Sequence, residues 1–130
     1  MADSSLRGSE QVLLVEDEEH LLAATREFLE SAGYSVIAAN NGIEALSAVE
    51  KHPGAIDLLL TDVIMPELDG VELARTVRAR HPRLRILYMS GYADRPIEGL
   101  GKDAMLLRKP FSHQLLASKI REALSRPEPA

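Results

Sequence analysis

Five side chains in this 130-residue chain are of the types needed to handle a phosphoryl group: Glu16, Asp17, Asp62, Ser90 and Lys109. Three carboxylates on one small patch repel one another, so either one takes up a proton or a cation neutralises them. Oxygen-only ligands suit a hard ion such as Mg2+, which keeps several waters and uses one or two carboxylates. Lysine is a point charge on a long stem and reaches an anionic group beside such a metal. A serine hydroxyl hydrogen-bonds the same group. Mg2+, a lysine and a hydroxyl around a carboxylate make a phosphoryl-transfer arrangement, and the carboxylate can itself be the nucleophile, giving an aspartyl phosphate. Asp62 is the candidate for that role because it closes a strongly apolar run, whereas Glu16 and Asp17 open the acidic stretch Glu16-Asp17-Glu18-Glu19.

These residues can act together only if each stands at the same end of one sheet. Gln11 to Val15 is a short apolar run of the kind that suits a strand buried on both faces. Apolar spacing then turns helical from His20 to Ala32, with Gly33 as the stop. Tyr34 to Ala39 reads as a second strand, and a helix follows from the Asn40-Asn41-Gly42 turn to about Lys51. The third strand runs from Ile56 through Thr61 to end at Asp62. A loop with Pro66 and the pair Asp69-Gly70 leads into a helix through Val71, Leu73, Ala74 and Val77, which Pro82 closes. Arg85 to Met89 is a fourth strand ending at Ser90, and Ala104 to Leu107 a fifth ending at Arg108-Lys109-Pro110. Between them, Pro96, Gly99 and Gly101 keep any helix short and interrupted. Ser112 is a suitable N-cap for a last helix through Leu115, Leu116, Ile120 and Leu124. Strand and helix alternate, which argues for a parallel sheet with helices on both faces. In such sheets ligands bind outside the carboxyl ends of the strands, where all five side chains fall.

Composition narrows the function classes. Hydrophobic residues make up 45% and charged residues 27%, the balance of one folded domain. The absence of cysteine excludes disulfides, iron–sulfur clusters and thiolate metal sites. Twenty acids against 15 bases give a net charge of −5, the opposite of the bias expected for a domain that binds nucleic acid directly. A cation, a small molecule or another protein is the expected partner. Residues 1–10 are polar without the apolar core of a signal peptide, and read as a flexible tail. Residues 126–130, with Pro127 and Pro129, read as another, leaving 11–125 as the domain. No run approaches the ~18 apolar residues of a membrane helix, so no direct membrane contact is expected.

Four segments carry a family resemblance: Val12-Leu13-Leu14-Val15-Glu16-Asp17-Glu18, Leu60-Thr61-Asp62-Val63-Ile64-Met65-Pro66-Glu67-Leu68-Asp69-Gly70, Met89-Ser90-Gly91 and Arg108-Lys109-Pro110-Phe111. In order and each at a strand end, they resemble the receiver domain of response regulators in two-component signalling, over about Gln11 to Leu124. The resemblance implies an α/β fold, (βα)5 and flavodoxin-like, a doubly wound parallel sheet with strand order 2-1-3-4-5. It implies that Asp62 accepts a phosphoryl group from a phosphohistidine on a sensor histidine kinase or a histidine phosphotransfer protein. It implies that Asp17 and Asp62 ligate Mg2+ (or Mn2+), with Glu16 through water and the main-chain carbonyl of Ile64. Ser90 becomes the switch hydroxyl and Lys109 the phosphoryl-binding cation, its bond to Pro110 often cis. A cytoplasmic location and a monomer or weak dimer are the corresponding expectations. Tyr88-Met89-Ser90-Gly91-Tyr92 and Leu107-Arg108-Lys109-Pro110-Phe111 further resemble receivers at the C-terminus of hybrid histidine kinases, so the chain reads either as such a piece or as a stand-alone receiver.

The chain also departs from the family. The aromatic switch position, three residues before the lysine, is Leu106, and the stretch from Ser90 to Lys109 is about one helical turn short. Ile64 and Tyr92 occupy positions that help set phosphoryl lifetime; neither activates water well, so slow autodephosphorylation is expected. Simpler readings compete. Glu18 and Glu19 are best taken as favouring the N-terminus of the following helix, and Asp69-Gly70 as a turn and helix entry. His20, His52, His81 and His113 are scattered and form no metal set. A small aspartyl-phosphate phosphohydrolase usually has a second acid two residues after the nucleophile, where Ile64 stands, so no turnover of external substrates is expected. A non-phosphorylated pseudo-receiver usually lacks one of the acids or the lysine, and all are present. A flavin-binding relative would want a hydroxyl- or glycine-rich loop after the first strand, where this chain is acidic.

Overall fold

A computed structural model describes residues 7–91 and 104–126. Their elements in order are β1 (Gln11–Val15), α1 (Glu19–Ser31), β2 (Ser35–Ala39), α2 (Gly42–Lys51), β3 (Leu58–Asp62), α3 (Gly70–Arg80), β4 (Arg85–Ser90), β5 (Met105–Arg108) and α4 (His113–Ser125). The strands form one sheet in the order β2-β1-β3-β4-β5. Every pairing is parallel. This is the doubly wound topology expected from the sequence. The stretch with Pro96, Gly99 and Gly101 and the position of Tyr92 lie outside the described residues.

Side-chain alternation along the buried strands sorts the core into two layers. Leu13, Val15 and Leu59 pack with Ala45 and Val49 of α2 and Leu73, Ala74 and Val77 of α3. Val12, Leu14, Leu58 and Leu60 face the other way, onto Leu29 of α1 and Leu116, Ile120 and Ala123 of α4. All five residues of β3 are buried, which makes it the sheet's central rod and fixes the height of Asp62.

Each described helix is capped at its entry by a side chain that accepts backbone N–H groups. Glu18 does this for α1, Asn41 for α2, Asp69 for α3 and Ser112 for α4. Glu18 thus precedes the helix it caps, and Glu19 is the acidic residue of its first turn. Helix α1 ends in a Schellman arrangement: Gly33 N–H donates to Glu30 and Tyr34 N–H to Leu29. Gly33 has φ 103°, and a Cβ there would collide with the carbonyl of Gly8, so both conformation and space require glycine.

Element boundaries differ from the sequence reading by a residue or two. Tyr34 closes the α1 cap rather than opening β2. Strand β3 starts at Leu58; just before it, the Asp57 carboxylate accepts Gln11 N–H at 2.8 Å. Strand β5 is shifted by one, to Met105–Arg108. Ahead of β1, Gly8 N–H donates to Ala32, and Glu10 meets the Arg121 guanidinium at 2.9 and 3.0 Å. This end of the expected first tail is therefore held against α1 and α4.

Candidate functional site

The parallel register sets the site. Strands β1 and β3 lie side by side with Val15 opposite Thr61, so Glu16 and Asp62 emerge as neighbours. Asp62 pairs with Met89 across β3–β4, and Ser90 with Arg108 across β4–β5. One more backbone bond, Lys109 N–H to the Ser90 carbonyl at 2.8 Å, carries the ladder to Lys109. The Lys109-Pro110 peptide is cis.

Lys109 Nζ lies 2.7 Å from Asp62 Oδ1 and 2.5 Å from Glu16 Oε1. The contact with Glu16 is an ion pair rather than an aligned hydrogen bond. Both acids are buried, Glu16 at 1% and Asp62 at 4% exposure. The other Glu16 oxygen accepts Glu18 N–H at 3.1 Å. Asp17 is exposed, and carboxylate oxygens of Glu16, Asp17 and Asp62 lie within 4.8 Å of one another. Asp17, Asp62, Ile64, Met89, Ser90, Gly91 and Lys109 line a cavity of about 240 Å3. Each acid, hydroxyl and lysine singled out in the sequence is therefore at one place. Ile64 borders the same cavity with a side chain turned to solvent. Leu106 does not; half-buried, it packs with the α2–α3 layer, opposite Tyr88 in the β4–β5 ladder.

Two buried acids and one lysine leave an excess of negative charge, and the cluster responds by holding a proton. Burial pushes the Asp62 carboxyl up, Glu16 pushes it further, and Lys109 only partly opposes them, so it reaches about 8. Burial also works against Glu16, but the hydrogen bond from Asp62 and the contact with Lys109 outweigh it and hold Glu16 below the usual carboxylate range. Burial disfavours the Lys109 charge too, yet its two acid partners raise it above the ordinary lysine value. The metal-free site is thus a carboxyl pair sharing one proton beside a lysinium.

The donor set fits a hard divalent cation. All three acids offer oxygen, and Asp62 Oδ2 is buried with no hydrogen-bond partner among the described residues. A cation would satisfy that oxygen and remove the need for the shared proton.

Sequence reasoning missed what supports these groups. Glu18, already read as favouring the start of α1 and found capping it, also anchors Glu16 through its own N–H, which its residue type does not reveal. Thr61 donates its hydroxyl to the Asp62 carbonyl at 3.0 Å. The start of α3 lies directly on Asp62: a Cβ at Gly70 would strike the Asp62 carbonyl oxygen, and Gly70 N–H donates to Val63 at 2.7 Å. The pair Asp69-Gly70 was the available signal, since a helix starting against a strand end needs a residue without a Cβ.

Comparison with known proteins agrees with this geometry. A family model described as response regulator receiver domain matches residues 12–121. The chain is 41% identical over 126 residues to Sensor kinase CckA of Brucella abortus, an alignment covering 95% of this chain and 13% of that protein. It is 37% identical over 117 residues to Response regulator receiver protein CpdR of the same organism, covering 88% of this chain and 96% of that one. Transcriptional regulatory protein CpxR of Escherichia coli is matched over half its length, at 35% identity and 89% of this chain. Among solved structures, the receiver domain from the hybrid histidine kinase CckA superposes with a TM-score of 0.75 at 34% identity, over 88% of this chain and 99% of that one.

Proposed function

Because the chain belongs to the response regulator receiver domain family, we propose that Asp62 accepts a phosphoryl group in a two-component relay. The observation that supports this most is Asp62 itself: a carboxylate at the end of the most buried strand, bordering a cavity and touching Lys109. An Asp62 oxygen attacks phosphorus, the bond to the donor's histidine nitrogen breaks, and the leaving imidazole takes a proton. The acyl phosphate stays on Asp62. Lys109 and Ser90 border the same cavity and bind the incoming phosphoryl oxygens, Lys109 by charge and Ser90 by its hydroxyl.

Asp17 and Asp62, with Glu16 beside them and the Ile64 carbonyl as a further oxygen, would hold Mg2+ or Mn2+. Such an ion supplies the positive charge that lets crowded carboxylates and phosphoryl oxygens coexist. Glu16 then positions rather than reacts, because one of its oxygens is pinned by the Glu18 N–H. Lys109 has to shift its contacts from Glu16 toward the arriving phosphoryl group.

The phosphodonor is a sensor histidine kinase or a histidine phosphotransfer protein, engaged by residues 11–125 in the cytoplasm. The similarity to CckA supports a second context, the receiver of a hybrid kinase, a protein of which this chain matches 13%. Among the described residues no helix is long and apolar enough to cross a membrane. Incubation with a small phosphodonor and Mg2+ tests the reading by intact mass. One added phosphoryl group is expected, lost with EDTA and lost in Asp62→Asn. Continuous phosphate release at enzyme-like rates would instead support a phosphohydrolase, and no mass gain even with a cognate kinase would support a pseudo-receiver.

A further inference from the structure

The arginines of this acidic chain are unevenly placed. From Arg75 to Arg85 the sequence Arg-Thr-Val-Arg-Ala-Arg-His-Pro-Arg-Leu-Arg carries five arginines, one histidine and no acid, although the chain's net charge is −5. The run covers the second half of α3, the turn after it and the first residue of β4. It ends at the amino-terminal end of the sheet, the opposite end from Asp62.

A cleft of about 470 Å3 opens there, roughly twice the volume beside Asp62. Ala55, Pro82 and half-buried Leu124 give it apolar surface over the buried Ile56 and Leu84, and Arg80, His81, Arg83 and Arg85 form its rim. Two carboxylates also border it; Glu10 is paired with a guanidinium, whereas Asp57 is bonded to a neutral group and keeps its charge, against the three arginines of the rim. Asp57 accepts Gln11 N–H at 2.8 Å, and Glu10 binds Arg121 at 2.9 and 3.0 Å. Arg85 donates Nη1 to the Arg83 carbonyl at 2.6 Å, and Nη2 and Nε to the Arg126 carbonyl at 2.9 and 3.3 Å, so it keeps its positive charge while its forked edge is taken. Arg80 meets Glu50 at 3.6 Å, with both side chains more than half exposed. Such a pair is worth little and gives way to a better ligand.

Basic residues at a helix C-terminus also complement the helix dipole. That reason covers Arg78 and Arg80, in the last turn of α3. It does not cover Arg83 and Arg85, which lie beyond the helix.

We propose that this cleft binds a small organic phosphate of nucleotide size. Guanidinium groups on the rim take the phosphate oxygens as forked donors. The apolar wall takes the organic part, in a volume within the ~300–1,000 Å3 usual for small-molecule sites. A single carboxylate needs one fork, whereas Arg80 and Arg83 on the rim, with His81 beside them and the fixed charge of Arg85 behind, suit the higher charge of a phosphate. The site stands apart from the Asp62 machinery and gives the domain a second input.

The test is a titration of the isotopically labelled full chain, without Mg2+ and at about 0.15 M salt, where long-range attraction between exposed charges is largely screened. Two probes are compared, inorganic pyrophosphate and a nucleoside monophosphate. Saturable amide shifts are expected at Ile56, Leu84 and Arg85, with none at Ser90 or Lys109, and the nucleotide should bind more tightly. Arg80→Glu should weaken binding at least tenfold. Arg80→Lys, which keeps the charge but loses the fork, should weaken it less while leaving the fold unchanged. The proposal is overturned by shifts confined to Lys109 and its neighbours, by shifts that do not saturate by about 10 mM, by equal affinity for the two probes, or by unchanged affinity in Arg80→Glu.

Discussion

Replacing Asp62 with asparagine should stabilise the metal-free protein at neutral and alkaline pH while abolishing phosphorylation. An unfolded aspartate titrates near 3.8, whereas folding pushes Asp62 up to about 8. Between those values the folded state binds a proton that the unfolded state has released. Stability therefore falls as pH rises from about 4 to about 8 and levels off above that. Taken alone, a change from 3.8 to about 8 corresponds to about 6 kcal/mol. Two opposing effects reduce it: Glu16 is held below its ordinary value and Lys109 above its own, and both stabilise the charged cluster. Asparagine keeps an oxygen for Lys109 and offers an amide N–H toward Glu16 in place of the shared proton. A net gain of about 2 kcal/mol at pH 8 is expected, from one buried like-charge contact relieved. In a domain of this size that is roughly 5–10 °C in Tm. Thermal unfolding of both proteins in EDTA at pH 5, 6.5 and 8 would show the gap widening with pH. Equal Tm values at pH 8, or a gap that narrows as pH rises, would refute the argument that repulsion between Glu16 and Asp62 weakens the fold.

Other consequences follow from the same contacts. Lys109→Met leaves Glu16 and Asp62 buried without their counter-charge; a loss of up to about 3 kcal/mol is expected in denaturant titrations without metal, limited by the pair's ability to take up a proton. Phosphorylation should fall at least tenfold even with saturating Mg2+. Gly70→Ala drives a Cβ into the Asp62 carbonyl, so α3 must shift; about 1–3 kcal/mol of stability and much of the phosphorylation rate should be lost together. Ile64 borders the cavity with a side chain that cannot polarise water, so the phosphorylated protein should persist for minutes or longer; a half-life of seconds would count against that.

Much of the site was legible because its chemistry sits at strand ends. Glu16, Asp62 and Ser90 each close an apolar run, and a parallel sheet puts all such ends on one edge. Ser112 and Asp69 could be read as helix entries from residue type alone. The contact of Lys109 with Glu16 could not be, because β5 is separated from β1 by two strands and the long side chain reaches back across β3 and β4. Nor could the double duty of Glu18, since its side-chain role as a cap gives no hint that its N–H anchors Glu16. Glu10 reads as tail until Arg121, 111 residues later, comes beside it. The basic cleft escaped notice because charge was summed over the whole chain, where 20 acids conceal five arginines gathered between Arg75 and Arg85.

Locating the phosphoryl group addresses the central claim most directly. The protein would be loaded with a small phosphodonor and Mg2+, the acyl phosphate cleaved reductively, and the altered side chain mapped by peptide mass. The account requires modification at Asp62 and nowhere else, in step with the gain of one phosphoryl group in the intact protein. Modification at Asp17 or Glu16, or undiminished labelling in Asp62→Asn, would contradict it.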